Sequence, residues 1–125
     1  MSRVIIVEDD PFLLSILAEK FKESGFEMET AINGEDGLSK IKSGEFDMIL
    51  LDMVLPKIDG FKILDELRKD EKLKKIPVIV LSNLYDKNNI EKATLLGAKD
   101  YIVKAYNNPE DIVSKVKSFL AANKA

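Results

Sequence analysis

The chain has 125 residues, 46% of them hydrophobic and 33% charged, with a formal net charge of −3; it suits one globular domain spanning residues 1–125 and offers no overall basic surface to nucleic acid. Cysteine and histidine are both absent, which excludes disulfides, thiolate chemistry, a histidine base and a Cys/His zinc site, and leaves only a hard cation held by oxygen as a metal partner. No apolar run approaches the roughly 18 residues of a spanning helix, and "MSRVIIVEDD" lacks a secretory pattern, so no membrane is expected and the cytoplasm is the expected location.

The elements follow in chain order. "VIIV" at residues 4–7 is short and β-branched, the mark of a buried strand. Residues 12–23 then take helical spacing, with Leu13, Ile16, Leu17 and Phe21 on one face, and Ser24-Gly25 stops them. "FEMET" at 26–30 alternates apolar and polar, which predicts an edge strand with one wet face. Asn33-Gly34 makes a turn, and Leu38 and Ile41 mark a helix ending at Ser43-Gly44. "MILL" at 48–51 is a second buried strand. Pro56 and Gly60 bracket a loop, and residues 61–69 form a helix with Ile63, Leu64 and Leu67 inward. Pro77 opens the strand "VIVL" at 78–81; a helix at 88–96 stops at Gly97; "YIV" at 101–103 is the last strand. Pro109 suits the first position of a final helix whose inner face is Ile112, Val113, Val116, Phe119 and Leu120.

Five strand–helix repeats predict an α/β fold, a five-stranded parallel sheet covered by helices on both faces with right-handed crossovers. With the half-polar second strand at an edge, the flavodoxin-like order 2-1-3-4-5 satisfies the pattern.

The strands end in chemistry. "VIIV" is followed by Glu8-Asp9-Asp10, "MILL" by Asp52, "VIVL" by Ser82-Asn83 and "YIV" by Lys104. In a parallel sheet these ends share one rim, where such folds bind ligands, and the proposed order makes the first and third strands neighbours at the switch point. Glu8, Asp9 and Asp52 then meet, with Ser82 and Lys104 approaching from the other side. Asp10, just before Pro11, reads as a helix cap. Carboxylates about 4 Å apart repel by about 4 kcal/mol at an effective dielectric near 20, so the cluster either protonates or binds a cation. Mg²⁺ accepts such ligands together with phosphate oxygens. A phosphoryl group between that ion and Lys104 would be stabilised from both sides. Asp52 is then the natural nucleophile, because carboxylates carry phosphoryl groups as acyl phosphates.

At "VIIVEDDP", "MILLDMVLPKIDG", "VIVLSN" and "GAKDYIVK" the sequence resembles the receiver domain of two-component response regulators, the single-domain chemotaxis type included. The resemblance covers essentially the whole chain. It implies that Asp52 accepts a phosphoryl group from a phosphohistidine on a sensor histidine kinase or phosphotransfer protein. It implies Mg²⁺ ligation by Asp9 and Asp52, by Glu8 mainly through water, and by the backbone carbonyl of Val54. Ser82 and Lys104 would each hold a phosphoryl oxygen, and Tyr101 would be the aromatic switch. The output surface would be the fourth helix, fifth strand and fifth helix, controlling a target protein as a monomer or phosphorylation-dependent dimer. Such a domain is not an enzyme beyond its own phosphoryl transfer and slow self-dephosphorylation.

Two departures from the family stand out. Lys104 is followed by Ala105 where receivers carry a proline, commonly cis, so the loop geometry is open; and Asn83 replaces a small residue and bears on access to the phosphoryl site. Val54 and Leu84, two residues past Asp52 and Ser82, are apolar and cannot position water, which predicts slow loss of the phosphoryl group. The close of the sequence, "AANKA", soon after the final helix fits either a stand-alone receiver or an excised piece. Three rivals are weighed. A flavin carrier is disfavoured because "EDDP" would repel a flavin phosphate. A haloacid-dehalogenase-type phosphatase is disfavoured because its Asp-x-Asp is missing. A pseudo-receiver that docks without phosphorylation is the alternative that Asn83 and Ala105 raise.

Overall fold

The computed structural model describes residues 2–122. Five strands form one parallel sheet: β1 (Arg3–Val7), β2 (Glu27–Ala31), β3 (Met48–Leu51), β4 (Val78–Ser82) and β5 (Asp100–Val103). Five helices connect and follow them: α1 (Pro11–Glu23), α2 (Gly34–Ser43), α3 (Gly60–Arg68), α4 (Lys87–Leu95) and α5 (Pro109–Ala122). The strand order is β2-β1-β3-β4-β5, the flavodoxin-like order expected from the position of the half-polar strand.

The apolar strands read as continuous because both of their faces are covered. Ile5, Val7, Ile49, Leu51, Val78 and Val80 point to one side, where Leu38 and Ile41 of α2, Ile63, Leu64 and Leu67 of α3 and Ala93 of α4 pack on them. Val4, Ile6, Met48, Leu50, Ile79, Leu81 and Ile102 point to the other, under Leu14, Leu17 and Phe21 of α1 and Ile112, Val113 and Val116 of α5. The period-two alternation of a strand separates the layers.

The structure corrects some sequence expectations. The buried stripe of α1 is Leu14, Leu17 and Phe21; Leu13 and Ile16 lie half-buried at its margins, because the i, i+3, i+7 row sets which side meets the sheet. β2 begins one residue later than expected. Phe26 sits before it and turns its ring edge-on to Phe21, centroids 5.3 Å apart. A 3-10 turn at Leu73–Lys75, unforeseen, buries Leu73 in the core layer that holds Ile63, Leu64 and Leu67 of α3. Phe119 and Leu120 pack against the core from partly buried positions.

Caps fix the helix starts on the carboxyl side of the sheet. Asp10, Asn33, Asp59 and Asp86 each accept hydrogen bonds from backbone N–H groups of the first turn. Asn108 and Asp111 exchange reciprocal bonds at the head of α5, 2.8 and 3.0 Å long. Gly97, at φ 107°, ends α4 in the left-handed region. Among the described residues no helix is long and apolar enough to cross a membrane.

Candidate functional site

β1 and β3 are neighbours in register, with Val7 opposite Leu51, while β2 leaves β1 on its other side. Their next residues, Glu8 and Asp52, therefore emerge side by side at the switch point. Backbone bonds set this step: Asp52 N donates to Val7 O and Glu8 N to Ala31 O, both at 3.0 Å. The structure brings together three of the acids expected from the sequence. Ligand oxygens of Glu8, Asp9 and Asp52 lie within 4.8 Å of one another. Glu8 and Asp52 are buried, Asp9 is exposed. Asp10 turns away as the cap of α1, as expected.

Two glycines let the loop after Asp52 lie close. A Cβ on Gly60 would stand 2.4 Å from Asp52 O and 2.7 Å from Met53 Cα. One on Gly34 would stand 1.6 Å from Ile58 O. Both clashes are with backbone, so the acceptor loop is clamped between the heads of α2 and α3. Gly60 N donates to Met53 O, Gly34 N to Pro56 O, and Lys57 takes φ 72° at the tip. Val54 N donates to Asp52 Oδ1 at 3.2 Å, with the Val54 side chain exposed.

Lys104 arrives from the end of β5. Its Nζ donates to Asp52 Oδ2 at 2.8 Å and pairs with Glu8 Oε1. No peptide bond among the described residues is cis, so the Lys104–Ala105 bond is trans and the lysine still reaches the acids. Ser82, fully buried at the end of β4, pairs in register with Val103; its Oγ accepts from Leu84 N at 3.3 Å. The Tyr101 hydroxyl donates to Leu84 O. Asn83 points toward the loop after β5, where its Oδ1 accepts from Ala105 N at 2.9 Å.

The charges set the chemistry. At separations up to 4.8 Å, each pair of ionised carboxylates repels by about 3.5 kcal/mol or more, gross, at an effective dielectric near 20. The Lys104 contact at 2.8 Å returns about 6 kcal/mol on the same scale. Three acids against one lysine still leave two negative charges. Burial pushes the Glu8 carboxyl above its ordinary range, with Lys104 and the Asp10 N–H, 2.9 Å from Oε2, opposing it. Burial alone would lower Lys104; hydrogen bonds to Asp52 and Glu8 outweigh it and raise the ammonium. Burial also raises the Tyr101 phenol, with Ser82 opposing. Glu8 Oε1 is buried and makes no hydrogen bond beyond that ion pair. An all-carboxylate donor set with two unbalanced charges fits a hard divalent cation.

Sequence reasoning did not single out the clamp by Gly34, or Asn107, whose Nδ2 donates to Val103 O at 2.8 Å. Asn33-Gly34 reads as a turn from sequence, whereas Asn33 caps α2 and Gly34 is its first residue; the approach of Gly34 to Ile58 depends on the folded loop.

Comparison with known proteins places the chain in a family. The sequence model of the response regulator receiver domain matches residues 4–117. The DNA-binding dual master transcriptional regulator RpaA of Synechocystis sp. is 31% identical over 120 residues, which cover 96% of this chain and 49% of that protein. The chain spans about half the length of the curated relatives it matches. Among solved structures, a CheY-like response regulator receiver domain protein from Methanospirillum hungatei is similar, with a TM-score of 0.88 at 29% identity, covering 98% of this chain and 95% of that one. The phosphorylated cyanobacterial phytochrome response regulator RcpA has a TM-score of 0.89 at 28% identity, covering 99% and 96%.

Proposed function

Because the chain belongs to the response regulator receiver domain family, we propose that it is a phosphorylation-dependent signalling switch whose acceptor is Asp52. The observation that carries this reading is the Lys104 ammonium 2.8 Å from Asp52 Oδ2, beside the acidic cluster of Glu8, Asp9 and Asp52.

A carboxylate oxygen of Asp52 attacks phosphorus in a phosphohistidine of a sensor histidine kinase or phosphotransfer protein. The P–O bond forms, the P–N bond breaks, and the electron pair leaves with the imidazole, which takes up a proton. The product is an acyl phosphate on residue 52. Mg²⁺ held by Glu8, Asp9, Asp52 and the Val54 carbonyl would offset negative charge on the phosphoryl oxygens. Lys104, released from the Asp52 carboxylate as that group becomes an anhydride, pairs with a phosphoryl oxygen. Ser82 donates its hydroxyl proton to another while still accepting from Leu84 N, since a hydroxyl does both.

The readout runs through Leu84. Its N–H serves Ser82 and its carbonyl serves Tyr101. A shift of Ser82 toward the phosphoryl group is felt at the Tyr101 ring through one residue. The α4, β5 and α5 face then changes its population between two states and controls a target protein. The chemistry is the domain's own modification and its slow reversal, with no turnover of an external substrate.

The pseudo-receiver alternative drew on Asn83 and Ala105. The trans bond leaves Lys104 on Asp52, and Asn83 faces Ala105, which supports the phosphorylated reading over the docking one. The test is incubation with Mg²⁺ and a small phosphodonor such as phosphoramidate, followed by intact mass measurement. Wild type gains one phosphoryl group and Asp52→Asn gains none. A wild-type protein that gains none is a docking module.

A further inference from the structure

The two departures from the family pattern meet in one hydrogen bond. Asn83 follows Ser82, and Ala105 follows Lys104; Asn83 Oδ1 accepts from Ala105 N at 2.9 Å. Resting on the function proposed above, we infer that Asn83 is a positioning residue for phosphoryl transfer: its amide clasps the Ala105 N–H and so couples the loop that follows Ser82 to the loop that carries Lys104.

Lys104 has a long, flexible stem, and where its ammonium reaches depends on how its backbone is held. The backbone on either side of it is gripped. Asn107 Nδ2 donates to Val103 O at 2.8 Å before it, and Asn83 takes the Ala105 N–H after it. The second grip needs an N–H at position 105, which a proline lacks. It also needs an acceptor of Asn length at 83, which a small residue lacks. Each residue therefore explains the other. The same two loops touch again through the Tyr85 and Tyr106 rings, centroids 5.6 Å apart and tilted 58°, and β4 and β5 meet just behind them at Ser82 and Val103. Ser82 and Lys104, the two groups assigned to the phosphoryl oxygens, are thus tethered through their next residues by a bond between two exposed positions. Without the tether, the lysine samples other positions during the transfer.

The experiment follows wild type, Asn83→Leu, Ala105→Pro and the double variant with phosphoramidate at saturating Mg²⁺, together with amide hydrogen exchange on ¹⁵N-labelled protein. Removing the acceptor or the donor slows phosphorylation of Asp52 about three- to tenfold, the range for loss of one hydrogen bond. The Mg²⁺ half-saturation point changes less than about twofold, because Glu8, Asp9 and Asp52 are untouched. The double variant is no slower than the slower single, since both remove one bond. Ala105 N–H exchange speeds up in Asn83→Leu and stays protected in Asn83→Asp, which keeps the acceptor. If Asn83→Leu is phosphorylated at the wild-type rate, or its Ala105 exchange is unchanged, the clasp is refuted while the function stands. A wild type that takes up no phosphoryl group refutes the functional reading and the positioning role with it.

Discussion

Replacing Lys104 by Met keeps most of the stem and removes the charge. The ammonium sits 2.8 Å from Asp52 Oδ2 and pairs with Glu8, and its side chain is only 17% exposed. Breaking a fully buried pair costs about 3–5 kcal/mol. Lys104 is not fully buried, so the expected loss of stability in chelator at about pH 7.5 is lower, about 2–3 kcal/mol. The pH dependence carries the diagnosis. Glu8 is raised above the ordinary carboxyl value of 4.5, so the folded state holds its proton in a window where the unfolded state has lost it. Stability therefore falls as pH rises from that value through the folded pKa. Without Lys104 the Glu8 carboxyl rises further, and the window widens. The deficit of the variant should be largest near pH 7.5 and shrink toward about pH 5, as Glu8 protonates. Mg²⁺ should also narrow it, because a cluster without its lysine binds a cation more tightly and ligand binding stabilises the folded state by mass action. Urea denaturation at the two pH values, with and without Mg²⁺, measures all of this. A variant as stable as wild type near pH 7.5, or one whose deficit ignores pH, refutes the electrostatic account.

Three further outcomes are expected. Glu8→Gln removes a buried charge that burial disfavours; it should stabilise the metal-free protein at neutral pH by about 1 kcal/mol and weaken Mg²⁺ binding about tenfold, read by denaturation and calorimetric titration. Gly60→Ala places a Cβ 2.4 Å from Asp52 O and should cost about 2–3 kcal/mol in denaturation while slowing phosphorylation, as the acceptor loop is pushed outward. Phosphorylated wild type should persist well beyond seconds, and Val54→Asn should shorten its lifetime about threefold or more by orienting water, followed by loss of mass with time; decay within seconds that Val54→Asn does not alter contradicts this.

The sheet was legible because each buried strand is a run of β-branched or aliphatic residues too short for a helix, and because "FEMET" carries the only half-polar pattern. The meeting of the acids with Lys104 was legible for a related reason: a parallel sheet brings every strand end to one rim, and there Glu8, Asp9, Asp52 and Lys104 come together. The helix faces were less so. On α1, Leu13, Leu14, Ile16 and Leu17 are all apolar, and sequence alone does not choose between stripes one residue apart. The turn at Leu73–Lys75 is three residues long and leaves no period to detect. Contacts between loops were hidden for a different reason. The Asn83–Ala105 bond spans 22 positions and exists only once β4 and β5 are paired, so the two residues read as separate departures when they are one interaction. The reach of Lys104 across a trans bond likewise needed the folded loop.

The central claim is that Asp52 becomes an acyl phosphate. Borohydride reduces such a group to the alcohol, converting the aspartate into homoserine, which peptide sequencing by mass spectrometry locates. After treatment with Mg²⁺ and phosphoramidate, wild-type protein should yield homoserine at position 52 and nowhere else. Homoserine at another acid, or none at all from a folded protein, contradicts it.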